Sequence, residues 1–143
     1  MPLLKLLIFG FAAGFLAVPI FHQGLWWIFN RIGVIPPQRA AWVMDPIPPF
    51  GVLALFSKSF WGGVWGAVLA CFLAGLVGVS YWASWILVGA FALTAVAFFV
   101  VPRIKGEQMP APFLPRFLVG LSVNGAWGFG TALLLRGLAA AGL

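Results

Sequence analysis

Charge is what this chain has least of. Only 7% of its residues are Asp, Glu, Lys or Arg, against roughly 25% in a soluble domain. A water-facing surface cannot be covered from so few. Asp45 and Glu107 are the only acids, and neither lies in a long apolar run. Paired carboxylates for acid–base catalysis at lipid depth are therefore excluded, and so is the intramembrane Asp or Glu that proton- and sodium-coupled transporters usually carry. Cys71 is the single cysteine, so no internal disulfide can form. A free thiol in the middle of an apolar run behaves as a small hydrophobe. His22 is the single histidine. With no second His, Cys or membrane carboxylate to join it, a metal centre is a poor fit, and neither metal nor cofactor is expected. There is no nucleophile paired with a base and no phosphate-cradling glycine loop ahead of a helix. The expectation is a protein that is not an enzyme.

What the chain does have is apolar length. It is 64% hydrophobic, with Phe and Trp far outnumbering its one Tyr, a balance suited to lipid contact with interfacial anchoring. A helical span takes about 20 residues, so the sequence accommodates four and little else. The expected fold is all-α, an integral membrane four-helix bundle forming one transmembrane domain over 1–143. Its spans fall near 6–28, 60–80, 82–101 and 117–135, with connectors at 30–59 and 102–116. The first run follows Lys5 and mimics a signal peptide. It lacks a small-residue cleavage site and is long, so an uncleaved span is expected. Pro19 lies inside it and predicts a kink, because proline offers no N–H and its ring presses on the carbonyl four residues back. Prolines at 36, 37, 46, 48 and 49 forbid a continuous helix through the first connector. Only Ser80 and Tyr81 separate the second and third spans, which predicts a tight hairpin of those two helices with Ser80 as a cap.

Small residues recur at every fourth position. Gly62, Gly66, Ala70, Ala74 and Gly78 form one such series, Gly10 and Gly14 another, and Gly120, Asn124, Gly128 and Ala132 a third. On a helix each series is a ridge without bulk. In lipid it lets two backbones approach until dispersion and weak hydrogen bonds hold them. These positions are expected to pack helices, within the chain or against a second copy or a larger membrane complex.

The net charge is +6, but the basic residues are scattered at the ends of the apolar runs. A nucleic-acid binder would show a basic stripe on one face, so no nucleic acid is expected as partner. Arg31, Arg39, Lys58, Arg103, Lys105 and Arg116 flank the connectors, whereas Lys5 and Arg136 flank the termini. The positive-inside bias then places both connectors in the cytoplasm and both termini in the periplasm. Arg31, Arg39, Arg103 and Lys105 are also placed to meet anionic lipid heads, although topology-setting charges look the same in sequence.

Four polar residues in or beside the spans are the candidates for chemistry: His22, Gln23, Asn124 and Thr131. The sharper reading makes them the lining of a path for a neutral or anionic small solute, or His22 a proton-handling group. The plainer reading is interhelical glue, with His22 bonded to Asn124 or to a carbonyl freed by Pro19. Trp127 sits at mid-span, where its indole N–H needs a partner such as Asn124 or Ser122.

The blocks Phe21-His22-Gln23-Gly24, Pro48-Pro49-Phe50-Gly51, Phe60-Trp61-Gly62-Gly63-Val64-Trp65-Gly66 and Asn124-Gly125-Ala126-Trp127-Gly128-Phe129-Gly130-Thr131 resemble those of small uncharacterised four-span bacterial inner-membrane proteins. The resemblance implies location and topology and brings no activity. With abundant close-packing surface and few ionisable groups, the expected role is a non-enzymatic scaffold or accessory subunit. A channel or facilitator lined by the four polar residues is the alternative.

Overall fold

The computed structural model describes residues 1–142. Four helices carry the fold: α1 (Leu3–Arg31), α2 (Ala54–Leu73), α3 (Gly78–Lys105) and α4 (Phe113–Ala140). All four are long and apolar enough to cross a membrane. Between α1 and α2 a minimal hairpin of β1 (Pro46–Ile47) and β2 (Val52–Leu53) pairs antiparallel, Pro46 with Leu53 and Ile47 with Val52.

Proline shapes α1 without ending it. Pro19 has no N–H for the Phe15 carbonyl, and the Val18 N–H turns to that carbonyl instead. The helix then widens into a π-turn over Val18–His22, with the Gln23 N–H reaching back to Val18. A wide turn of this kind absorbs a disturbance in the hydrogen-bond ladder. Similar turns occur in α3 at Gly89–Leu93 and Val96–Val100. Gly106, at φ 68°, ends α3 in the left-handed conformation that glycine adopts without cost.

The second span departs from its expected limits at both ends. It begins at Ala54 rather than 60, because Lys58 does not stop it; a lysine near a helix end can send its ammonium to the interface while its stem stays on the helix. It ends at Leu73 rather than 80. Gly78 has φ +59° and opens α3, an arrangement that breaks the helix between Leu73 and Gly78. Gly78 therefore leaves the ridge to which its spacing assigned it. It is exposed, and a Cβ there would meet nothing within 4 Å. Ala74 sits at the C-cap of α2 and is half-buried. Ser80 lies inside α3, and Val77 holds the cap position with no side-chain bond.

The helices pair along the chain as α1 with α2 and α3 with α4, and α4 also packs on α1. Consecutive α2 and α3 share a corner but little face, so the tight α2–α3 hairpin expected from the short link is corrected. The reason is geometric: the small-residue face of α2 is occupied by α1. A Cβ on Gly10 would lie 2.6 Å from the Gly66 carbonyl oxygen, and one on Gly62 would lie 2.8 Å from that of Gly14. The reciprocal atoms on Gly14 and Gly66 would collide with the carbonyls of Gly62 and Gly10. Backbone thus rests on backbone along the seam. The α3–α4 seam is built similarly. A Cβ on Gly89 would lie 2.8 Å from the Asn124 carbonyl oxygen, one on Gly128 would strike the Trp85 carbonyl, and one on Gly120 would come within 3.0 Å of Thr94 Cγ2. Large aromatics fill the centre: Trp85, Trp127 and Tyr81 are all buried.

Candidate functional site

The polar residues gather at the connector end of α1, where the π-turn gives way to regular helix. Gln23 is only 1% exposed and works in two directions. Its amide nitrogen donates to His22 Nδ1 at 2.9 Å, and its amide oxygen accepts the Trp42 backbone N–H at 2.9 Å. Trp42 has φ 54°, a left-handed conformation that is strained for a bulky residue. Its indole Nε1 donates to the Pro19 carbonyl at 2.8 Å, so both its backbone and its ring are tied to α1.

The same loop is held again further along. The Arg39 carbonyl accepts Trp26 Nε1 at 2.7 Å and Asn30 Nδ2 at 3.1 Å. Asn30 Nδ2 also lies 3.3 Å from each of the Ile35 and Pro36 carbonyls. Ile35 is buried beneath the loop. Three side chains of α1, Gln23, Trp26 and Asn30, thereby supply the donors and acceptors that the proline-rich loop cannot pair within itself.

Cations surround the Trp26 ring. The Arg39 guanidinium carbon stands 5.0 Å from its centroid and Lys58 Nζ 5.9 Å. His22 stacks on the same indole at 6.4 Å with an interplanar angle of 12°. Burial, and then the nearby charge of Arg116, hold the Arg39 guanidinium below its ordinary pKa. At the opposite end of the bundle the Arg136 guanidinium lies 4.2 Å from the Tyr81 ring and 5.5 Å from Trp82. The Tyr81 hydroxyl donates to the Ala132 carbonyl at 2.8 Å.

Of the four candidates read from sequence, the structure joins His22 to Gln23 and pairs the others elsewhere. Asn124 Nδ2 donates to Thr94 Oγ1 at 2.9 Å across the α3–α4 seam. Thr131 Oγ1 donates to the Trp127 carbonyl of its own helix at 2.8 Å. The partner foreseen for His22 was Asn124 or a carbonyl freed by Pro19; the bond goes to Gln23. The partner foreseen for Trp127 was Asn124 or Ser122, yet its indole donates to the Gly14 carbonyl at 2.9 Å. Gly14 is open to that bond because the Val18 N–H, its donor in a regular helix, has turned to Phe15. Pro19 does free a carbonyl, but the vacancy passes back one residue and is filled by another helix. Trp85 Nε1 is buried and has no partner among the described residues. No group of three or more His, Cys, Asp or Glu able to hold a metal occurs among them either.

Asn30 and Lys58 escaped the sequence reading as site residues, and Arg39 entered it only as one of four cations facing lipid heads. Trp26 and Asn30 lie one turn apart on the same face of α1, and the chain beyond them runs through Pro36 and Pro37, a segment that needs external donors. That pairing was the available signal. A shallow groove of roughly 450 Å³ runs beside the site, lined by Ile20, Phe21, Gly24 and Ile28 of α1 and by Ala126 of α4. Its walls are apolar and suit hydrocarbon.

Four apolar helices of spanning length make this a multi-pass membrane protein of the all-α class. No family model, curated protein or solved structure matches the chain.

Proposed function

We propose that the protein is a non-enzymatic scaffold or accessory subunit of a bacterial inner membrane. The supporting observation is the seam between Gly10/Gly14 and Gly62/Gly66, which meets backbone to backbone with no room for a methyl group. Such a seam gives a stiff pair of helices. The polar groups in the spans add to the stiffness: Gln23 closes the connector, Asn124 binds Thr94, and Trp127 binds Gly14. A rigid body with its polar equipment turned on itself suits a platform on which other membrane subunits rest. Its outward faces are rich in exposed aromatics, among them Phe56, Trp61 and Phe72 of α2, which serve for contact with lipid or with such subunits.

Both connectors lie in the cytoplasm in this reading, and both termini in the periplasm, following the six basic residues that flank the connectors. A cysteine placed between 103 and 108, in a background with Cys71→Ser because Cys71 is exposed, should resist an impermeant thiol reagent in intact cells. Ready labelling would reverse the orientation.

The functional test has two arms. Gentle detergent extraction followed by mass measurement of the intact particle should show a mass above that of the monomer, with fixed stoichiometry. Liposomes holding the purified protein should leak neutral and anionic solutes no faster than empty ones. Flux that disappears in His22→Ala or Asn124→Leu would replace the scaffold with a facilitator.

A further inference from the structure

Two basic groups meet at the connector end from separate segments: Arg39 from the loop after α1 and Lys58 from the start of α2. Arg39 and Lys58 share one aromatic neighbour, the Trp26 ring, at 5.0 and 5.9 Å. Burial, and after it the charge of Arg116 in the first turn of α4, lower the pKa of Arg39.

The convergence is held in place. The Arg39 carbonyl is clamped by Trp26 and Asn30, and the loop beyond it by the Gln23–Trp42 bond. These bonds fix the backbone from which the Arg39 side chain starts, so its guanidinium is launched beside the Trp26 ring. The indole face attracts each cation but supplies no counter-charge. Arg103 and Lys105, on the last turn of α3 on the same side, offer a contrast, since neither stands over an aromatic ring among the described residues. Charges that only set topology need no common aromatic seat and no clamped backbone.

From this juxtaposition we infer that Arg39 and Lys58 form a phosphate-binding site at the membrane surface, and that its ligand is the headgroup phosphate of an anionic phospholipid. Guanidinium groups bind phosphate oxygens in pairs, and the lysine adds a compact point charge. The site lies where headgroups lie, at the helix ends beside the exposed apolar residues Trp27, Ile28 and Ile32. Acyl chains then find the apolar outer surface of α1 directly beneath. The inference stands apart from the scaffold reading, since a facilitator could hold the same lipid.

The test is a lipid titration of the purified full chain followed by native mass spectrometry, with phosphatidylglycerol and phosphatidylcholine compared. The wild type should prefer phosphatidylglycerol by about tenfold, the scale of one or two basic contacts at an anionic surface. The preference should fall to parity in R39Q/K58Q and weaken in each single variant, Arg39→Gln and Lys58→Gln. It should persist in R103Q/K105Q and in the charge-conserving Arg39→Lys. Melting in phosphatidylcholine checks that R39Q/K58Q is folded; if it is not, the single variants Arg39→Gln and Lys58→Gln carry the reading. A second arm adds inorganic phosphate to delipidated protein. Stabilisation by phosphate without preference for phosphatidylglycerol would keep the site and assign it a soluble phosphate. Equal binding of the two lipids with no response to phosphate would overturn the inference. So would a loss in R103Q/K105Q as large as that in R39Q/K58Q.

Discussion

The indole of Trp127 donates to the backbone carbonyl of Gly14, 2.9 Å away and 113 residues earlier in the chain. The bond ties α4 to the α1–α2 seam at the point where Pro19 has disturbed the α1 ladder. Trp85 is equally buried but its Nε1 has no partner. Replacing each tryptophan by Phe removes similar volume, so the difference between the two variants isolates the bond. Trp127→Phe should cost about 1–3 kcal/mol more than Trp85→Phe, because it leaves the Gly14 carbonyl without its donor. Unfolding in mixed micelles measures both, and equal costs would show that the bond contributes nothing.

The α1–α2 seam makes a sharper demand. Gly66→Ala would push a methyl group into the Gly10 carbonyl, and overpacking of this kind costs about 1–3 kcal/mol. Gly66→Leu should abolish folding. Gly24, on α1 with nothing within 4 Å of a built Cβ, is the control. Gly24→Ala should be neutral or stabilising by up to about 1 kcal/mol, from helix propensity alone. Both are read from thermal unfolding in detergent, and a Gly66→Ala variant as stable as the wild type would mean the helices do not meet there.

Gln23 and His22 are neighbours with unequal tasks. Gln23→Leu would leave the Trp42 N–H unpaired and release a backbone already held at φ 54°. Protease cleavage in the loop between residues 32 and 45 should accelerate several-fold, since loop opening is governed by such local bonds. His22→Ala loses one bond to an amide and a stacking contact. Its effect on unfolding should stay below about 1 kcal/mol, the usual size for polar pairs in membranes. Limited proteolysis of both variants tests the order, and faster cleavage of His22→Ala would invert it.

At the other end, Tyr81→Phe should cost about 0.5–1.5 kcal/mol by removing the 2.8 Å bond to the Ala132 carbonyl. The Phe ring would still seat Arg136, so Arg136→Ala should add a separate, smaller loss. A double-mutant cycle on unfolding free energy checks that the two are close to additive. A large coupling would mean that the hydroxyl, and not the ring, positions the guanidinium.

The number of helices was legible in the sequence, because runs of apolar residues this long have one stable use. Their limits were less so. Lys58 looked like a boundary and sits inside α2; Gly78 looked like a ridge position and is a left-handed turn. Spacing counts residues along an uninterrupted helix and cannot see where a positive φ interrupts it. Partnership was the largest gap. Gly10 and Gly62 each advertise a surface that admits a backbone, but nothing in a spacing says which backbone, and the short link between α2 and α3 pointed to the wrong one. The site was half visible. His22 and Gln23 stood out as polar residues in an apolar run. Arg39 was one scattered cation among several and Lys58 only a flank, because their meeting at Trp26 depends on how a proline-rich loop folds back over α1.

The α1–α2 and α3–α4 pairings follow the order in which the spans leave the ribosome. As each second helix of a pair enters the translocon, its partner is already waiting in the bilayer, so the glycine seams can close two spans at a time. Truncation after α2 should therefore release a hairpin that is already zipped, whereas truncation after α3 should strand one helix alone among the lipids.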